Sequence, residues 1–220
     1  DMAEGGKVKF GVELVPDTKV EKIVALAKVA EESGFDYVWI TDHYNNRNSY
    51  ATLAIIARET TRVKMGVGIT NPYVVHPAWT ASAIATIDEI SGGRAVLGIG
   101  AGDLVTLQRL GIEAEKPLSR VREAVGLIRS LHQGKPSNSS LLGVRGAKLS
   151  YKTREIPIYV GAQGERMLKL AGEVGDGVLI NASHPRDFEF ASSVLGDAKE
   201  KLDVAAYTCF SVSEDQVKAE

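Results

Sequence analysis

Short apolar, β-prone runs alternate with helix-period segments along the whole chain, and that alternation constrains the fold more than any other feature. The runs cover residues 9–15, 37–41, 63–70, 95–99, 156–160, 177–180 and 203–210. Helical patterning is expected between them, over 50–58, 78–90, 118–131, 167–174 and 187–201, with one more helix beginning at 213–220. The first helix shows the pattern best. Val20, Ile23, Val24, Ala27 and Ala30 share one face, Glu21, Lys22, Lys28 and Glu32 lie opposite, Thr18 with Glu21 matches a capping box, and Gly34 stands where helices end. Strands that alternate with helices are joined by crossovers, so the sheet is expected to be parallel.

Two α/β architectures fit. Seven βα units approach the eight of a TIM (β/α)8 barrel, although 220 residues fall short of the ~250 typical of that fold. An open Rossmann-type sheet would carry G-x-G-x-x-G in a βα turn with an acid at the right distance. Gly98-Ile99-Gly100-Ala101-Gly102 is glycine-rich but lacks that spacing. A barrel of seven strands exposes two sheet edges, so the expectation is one barrel domain over 1–220 whose last βα unit lies outside this sequence. Residues 1–6 read as a flexible leader. Residues 133–155, rich in Gly, Ser, Pro and Lys with few periodic apolar positions, read as an irregular insertion or lid.

Composition excludes several classes. A net charge of -2 gives no electrostatic footprint for nucleic acid. No apolar run approaches the ~20 residues of a membrane span. The single cysteine, Cys209, rules out an intrachain disulfide and a cysteine-rich metal site, points to a cytoplasmic home, and is expected in the core of the last strand. His43, His76, His132 and His184 lack the spacing of metal ligands, so no metal is expected. No nucleophile elbow is present.

The densest chemistry lies in Ile40-Thr41-Asp42-His43-Tyr44-Asn45-Asn46-Arg47-Asn48, where a buried strand stops and an acid, an imidazole, a phenol, amides and a guanidinium follow. The ordinary reading is a βα loop with Asp42 or Asn48 capping the next helix. The other strand ends also gather polar and glycine residues: Glu13; Gly68, Ile69, Thr70 and Asn71; Gly98, Gly100, Gly102 and Asp103; Gly161, Ala162, Gln163 and Gly164; Asn181, Ser183 and His184. The C-terminal ends of parallel strands are where such folds build sites. Each glycine cluster is either a tight turn or a close approach to a ligand, and Gly161–Gly164 leads into a helix whose free N–H groups favour an anion. Two glycines in 66–71 suggest a bulge or a close ligand approach. Glu13 is either a salt-bridged interior carboxylate or an acid–base group, and Asp103 either a helix cap or a site residue.

Six segments together resemble one family: KFGVELVPD (9–17), GFDYVWITDHYNNRN (34–48), VGITNPYVVHP (67–77), TASAIATIDEISGGRAVLGIGAGD (80–103), YVGAQG (159–164) and EVGDGVLINASHP (173–185). They look like the 5,10-methylenetetrahydromethanopterin reductases, TIM barrels of the bacterial-luciferase-like superfamily that serve methanogenesis and archaeal one-carbon metabolism. The resemblance implies hydride transfer from reduced coenzyme F-420, a deazaflavin cosubstrate, to methylenetetrahydromethanopterin, with neither flavin nor metal, in a homo-oligomer. It implies a non-prolyl cis peptide at Gly68-Ile69. Asp42 and His43 would flank the deazaflavin, and Ile69 would pack on one of its faces. Thr70 and Asn71 would help hold it, Gly161, Ala162, Gln163 and Gly164 would cradle its phosphate-bearing tail, and Gly100 and Asp103 would lie near. Glu13, with Asp42 and His43, would form the catalytic set, Glu13 meeting the pterin nitrogen. The alternatives are another coenzyme F-420-dependent dehydrogenase acting on an alcohol or sugar phosphate, and a non-catalytic paralogue.

Overall fold

A computed structural model describes residues 8–182 and 184–214. The strands are β1 (Gly11–Leu14), β2 (Tyr37–Ile40), β3 (Lys64–Thr70), β4 (Ala95–Ile99), β5 (Ser137–Ser139), β6 (Val144–Ala147), β7 (Ile158–Gly161), β8 (Gly177–Asn181) and β9 (Asp203–Tyr207). All but β5 and β6 form one seven-stranded sheet in chain order, β1-β2-β3-β4-β7-β8-β9, parallel throughout. A doubly wound sheet reverses its order at a switch point; this one never does.

The sheet curls. Tyr37 on β2 and Tyr159 on β7 are not neighbours in the order, yet their hydroxyls lie 3.2 Å apart. The ring of Trp39 stands edge-on to that of Tyr159 with centroids 5.3 Å apart. Asp203, on edge strand β9, accepts hydrogen bonds from the hydroxyls of Tyr37 (3.1 Å) and Tyr159 (2.8 Å) and pairs with Lys9 (3.4 Å), just before the other edge. The two edges therefore face each other across one bore.

Each strand serves two layers. In β2 all four residues are buried: Val38 and Ile40 join the outer core beneath the helices, while Tyr37 and Trp39 point inward with Val96, Tyr159 and Leu179. The outer layer is supplied by α1 (Val20–Glu32), α2 (Ser49–Glu59), α3 (Pro77–Ser91), α5 (Pro117–His132), α6 (Glu165–Val174) and α7 (Pro185–Leu195), while the short α4 (Leu104–Arg109) borders the cavity at the strand ends. None of the described helices is long and apolar enough to cross a membrane. The inward rings need room. A β-carbon on Gly177 would stand 2.4 Å from the ring of Tyr159, and one on Gly66 would stand 1.9 Å from the carbonyl oxygen of Val96. Gly66 thus serves the approach of a neighbouring strand, where the sequence suggested a bulge or a ligand.

Several boundaries depart from expectation. The Thr18–Glu21 capping box does not form: α1 starts at Val20, and its N-cap Lys19 makes no side-chain cap bond. The cause lies in Arg47, which donates to the carbonyls of Pro16 and Asp17 and holds that segment as a turn. The helix expected over 187–201 breaks at Gly196, whose φ of 52° ends α7 before a 3₁₀ turn, Gly196–Lys201. The last strand stops at Tyr207, so Cys209 is exposed beyond it, not in the core. Residues 211–214 are not helical, and the rest of the expected 213–220 helix, like the 1–6 leader, falls outside the described residues. Within 133–155, β5 and β6 form an antiparallel hairpin with β5 against α5, and the segment reaches α3 where Leu142 in the hairpin turn accepts from His76 (3.1 Å), and further on Tyr151 meets Ser82 (3.1 Å) and Arg154 pairs with Asp88 (2.6 Å).

Gly66→Ala should lower stability by about 1–3 kcal/mol or more, because the atom it would strike is backbone and cannot swing aside; urea unfolding of the two proteins measures it.

Candidate active site

A cavity of about 560 Å³ opens at the C-terminal ends of the strands, within the usual size range of small-molecule sites. Twelve of the strand-end residues expected there line it: Glu13, Asp42, His43, Gly68, Ile69, Asn71, Gly102, Asp103, Gly161, Ala162, Gln163 and Asn181. Thr70, Gly98, Gly100, Gly164 and His184 do not, and no residue of 133–155 does. Thr70 is buried behind the wall, and Gly164 is the N-cap of α6. Ser183 lies outside the described residues.

The wall is shaped by Ile69. The register of β3 with β4 shifts between Val67 and Thr70, and the Gly68-Ile69 peptide is cis. The side chain of Ile69 then lies over three glycines. A β-carbon on Gly98, Gly100 or Gly161 would come within 2.8, 2.4 or 2.5 Å of it. Gly100 and Gly161 were expected to meet a ligand; their bare α-carbons instead seat Ile69, and Gly161 also faces the cavity. The result is a branched aliphatic platform on a glycine bed, suited to the face of a flat ring.

The loop after β2 divides its duties. Asn48 caps α2 by accepting from the N–H of Ala51 at 2.9 Å. Asp42 is thereby left to the cavity, its Oδ1 accepting from Ser49 Oγ at 2.7 Å. His43 is exposed at the rim. Asp103 does both things it was expected to do separately. It caps α4 through the N–H groups of Thr106 (2.8 Å) and Val105 (3.4 Å) while lining the cavity. Hydrogen bonds from Thr106 hold its carboxyl below the usual range, and nearby His43 adds to this. Asn71 accepts from the N–H groups of Tyr73 and Val74, which fixes its amide beside Gly102.

Glu13 makes no ion pair or hydrogen bond among the described residues, so the salt-bridged reading does not hold. It is half-buried on β1, and burial pushes its carboxyl up from 4.5 to about 7. Thr41, Ala101, Leu104, Thr106, Leu179 and Tyr207 complete the wall. The hydroxyls of Thr41 and Tyr207 are buried without a hydrogen-bond partner among the described residues. Tyr207 escaped the sequence reading because the last strand was drawn past it. The signal was its parity with Asp203 and Ala205, which face the bore.

Residues 7–220 match the family model described as luciferase-like monooxygenase. The chain belongs to this family. The 5,10-methylenetetrahydromethanopterin reductase of Archaeoglobus fulgidus is 56% identical, over 96% of this chain and 67% of its own length. Among solved structures, the coenzyme F420-dependent tetrahydromethanopterin reductase of Methanopyrus kandleri superposes with a TM-score of 0.89 at 43% identity, over 97% of this chain and 69% of that one. An F420-dependent secondary alcohol dehydrogenase in complex with an F420-acetone adduct superposes with a TM-score of 0.85 at 25% identity, over 97% and 72%. As a luciferase-like protein, the chain has the curled parallel sheet of a TIM-barrel family, and about two thirds of the length of these relatives is aligned with it.

Glu13 gives stability a pH dependence of unusual sign for a carboxylate. Its value in the fold, about 7, lies above the ordinary 4.5, so between those values the folded chain holds more protons than the unfolded one. Stability from this group therefore falls as pH rises through that window. Glu13→Gln should flatten the fall, which melting temperatures across the window will show.

Proposed function

We propose that this chain is a coenzyme F-420-dependent 5,10-methylenetetrahydromethanopterin reductase. The observation that carries the reading is the pairing of an aliphatic ring platform, Ile69, with an unpaired carboxyl of raised pKa, Glu13, in one cavity. The relatives named above support it. Coenzyme F-420, bound reduced, supplies the hydride. Ile69 would back one face of the deazaflavin and leave the other open to the pterin, and holding both reactants in one cavity would make the transfer effectively unimolecular. Asp42, fixed by Ser49, and Asn71, fixed by its turn, hold the ring edge with His43 and Asp103 at the rim. Ala162 and Gln163, with Gly164 at the head of α6, lie where the tail would leave the cavity.

Forming the methyl product takes up one hydride and one proton, and a carbon–nitrogen bond of the methylene bridge opens. The departing nitrogen keeps the electron pair and takes the proton. Glu13 is suited to give it, because burial keeps part of its population protonated near neutral pH. Once ionised, it stabilises the cationic electrophile left behind. Homo-oligomeric assembly and a cytoplasmic location belong to the same proposal, and light scattering on the purified chain tests the first.

The decisive assay mixes the chain anaerobically with the reduced coenzyme and methylenetetrahydromethanopterin and follows oxidised coenzyme by absorbance. Pterin-dependent oxidation is expected, and Glu13→Gln should lower kcat by ~10²-fold or more while leaving coenzyme binding intact. Oxidation with acetone but not with the pterin would assign an alcohol dehydrogenase instead, and binding of neither coenzyme nor pterin a non-catalytic paralogue.

A further inference from the structure

Ile69, Gly161 and Ala162, from β3 and β7 and the turn after it, make an apolar stretch of the cavity wall, next to Asn71 and Gln163 from the same strand ends. Glu13, Thr41, Asn181 and Tyr207 come from β1, the end of β2, β8 and β9, the strands that flank the two edges. Register places them together. Glu13 pairs with Trp39, Thr41 lies two residues beyond Trp39 on the same face, and Tyr207 pairs with Asn181. Because the sheet curls until Lys9 meets Asp203, these four inward positions face one another.

Thr41 is only 9% exposed and Tyr207 is half-buried, and both hydroxyls have lost water without gaining a partner among the described residues. Buried polar atoms are nearly always hydrogen-bonded, and exceptions call for an explanation. Of the five such side-chain atoms among the described residues, the two hydroxyls of Thr41 and Tyr207 border this cavity, beside a carboxyl that has no partner there either, while those of Tyr50, Thr70 and Arg120 lie away from it. A hydroxyl that donates and accepts is satisfied by a ring edge bearing both kinds of group. The amide, amine and ring N–H of a reduced pterin form such an edge; a small aliphatic alcohol offers one hydroxyl.

We infer that Thr41 and Tyr207 are specificity-determining residues that hydrogen-bond the heteroatom edge of the pterin, at the stretch of cavity wall they share with Glu13 and Asn181. The inference rests on the function proposed above and adds the groups that select the substrate. It also makes an unusual demand on stability. Removing an unsatisfied buried hydroxyl without changing shape relieves the free protein, so Thr41→Val should melt no lower than the parent chain while losing substrate affinity. A structural role would produce the reverse.

The test measures steady-state kinetics of Thr41→Val and Tyr207→Phe in the full chain. The expected result is a rise of roughly tenfold or more in KM for methylenetetrahydromethanopterin in each, exceeding any fall in kcat. Coenzyme F-420 should bind within about twofold of the parent affinity, as read by its absorbance, and Thr41→Ser should restore KM. A KM unchanged in both variants overturns the inference, as does a loss that falls on the coenzyme. If the parent chain does not turn over, the reaction assigned above fails, and calorimetry with tetrahydromethanopterin then decides the present point. Binding by the parent that weakens in both variants upholds it. Equal binding by parent and variants, or none by the parent, overturns it.

Discussion

Aromatic rings from non-adjacent strands meet inside the sheet, and the site exists because they stop short of the strand ends. Tyr37, Trp39 and Tyr159 fill the lower bore and contact one another edge-on or stacked. Asp203 gathers two of their hydroxyls and ties the last strand to them. Above this plug the inward positions turn small or polar: Gly100, Gly161, Thr41, Asn181 and Tyr207. A parallel sheet buried on both faces is normally apolar all along its strands. This one is apolar on its outer face and divided along its inner one, with packing below and a cavity above.

That division makes Ile69 a hinge of the design. A regular β3 would keep side chains alternating across the sheet. The slip between Val67 and Thr70 instead lays an aliphatic group across the bore, and its footing is three residues without side chains on two other strands. The platform and its bed are one device distributed over β3, β4 and β7. The Glu13 carboxyl, which lines the same cavity, comes from a different strand and has no partner among the described residues, so burial acts on its protonation unopposed.

Much of this was legible in the residues. Alternation alone specified the parallel sheet, and all seven of its strands fall where apolar runs predicted them. The strand-end rule put Glu13, Asp42 and Ile69 at the C-terminal ends of the strands, and all three line the cavity there. The misses share a cause: they depend on contacts distant in sequence. Nothing local says that Arg47 will unwind the start of α1, that Gly66 answers the backbone of Val96, or that Gly100 and Gly161 lie under Ile69. The strand past Tyr207 was overdrawn because β-propensity runs through Thr208 to Val212 while pairing with β8 ends at Asn181. Cys209 was misplaced by the same error.

Chain order and sheet order coincide, and this bears on how the molecule assembles. Each new strand docks on the one made just before it, so most of the sheet grows by short-range steps as the polypeptide emerges. The contacts of Asp203 are the exception, reaching back 166 residues to Tyr37 and 194 to Lys9. Such long loops are slow to close. Until that closure Tyr37 and Lys9 lack the partner that draws the edges together, and the stretch of cavity wall made by Glu13, Thr41, Asn181 and Tyr207 is not yet formed. That stretch waits for β9, while the Ile69 platform, built from β3, β4 and β7, is already in place.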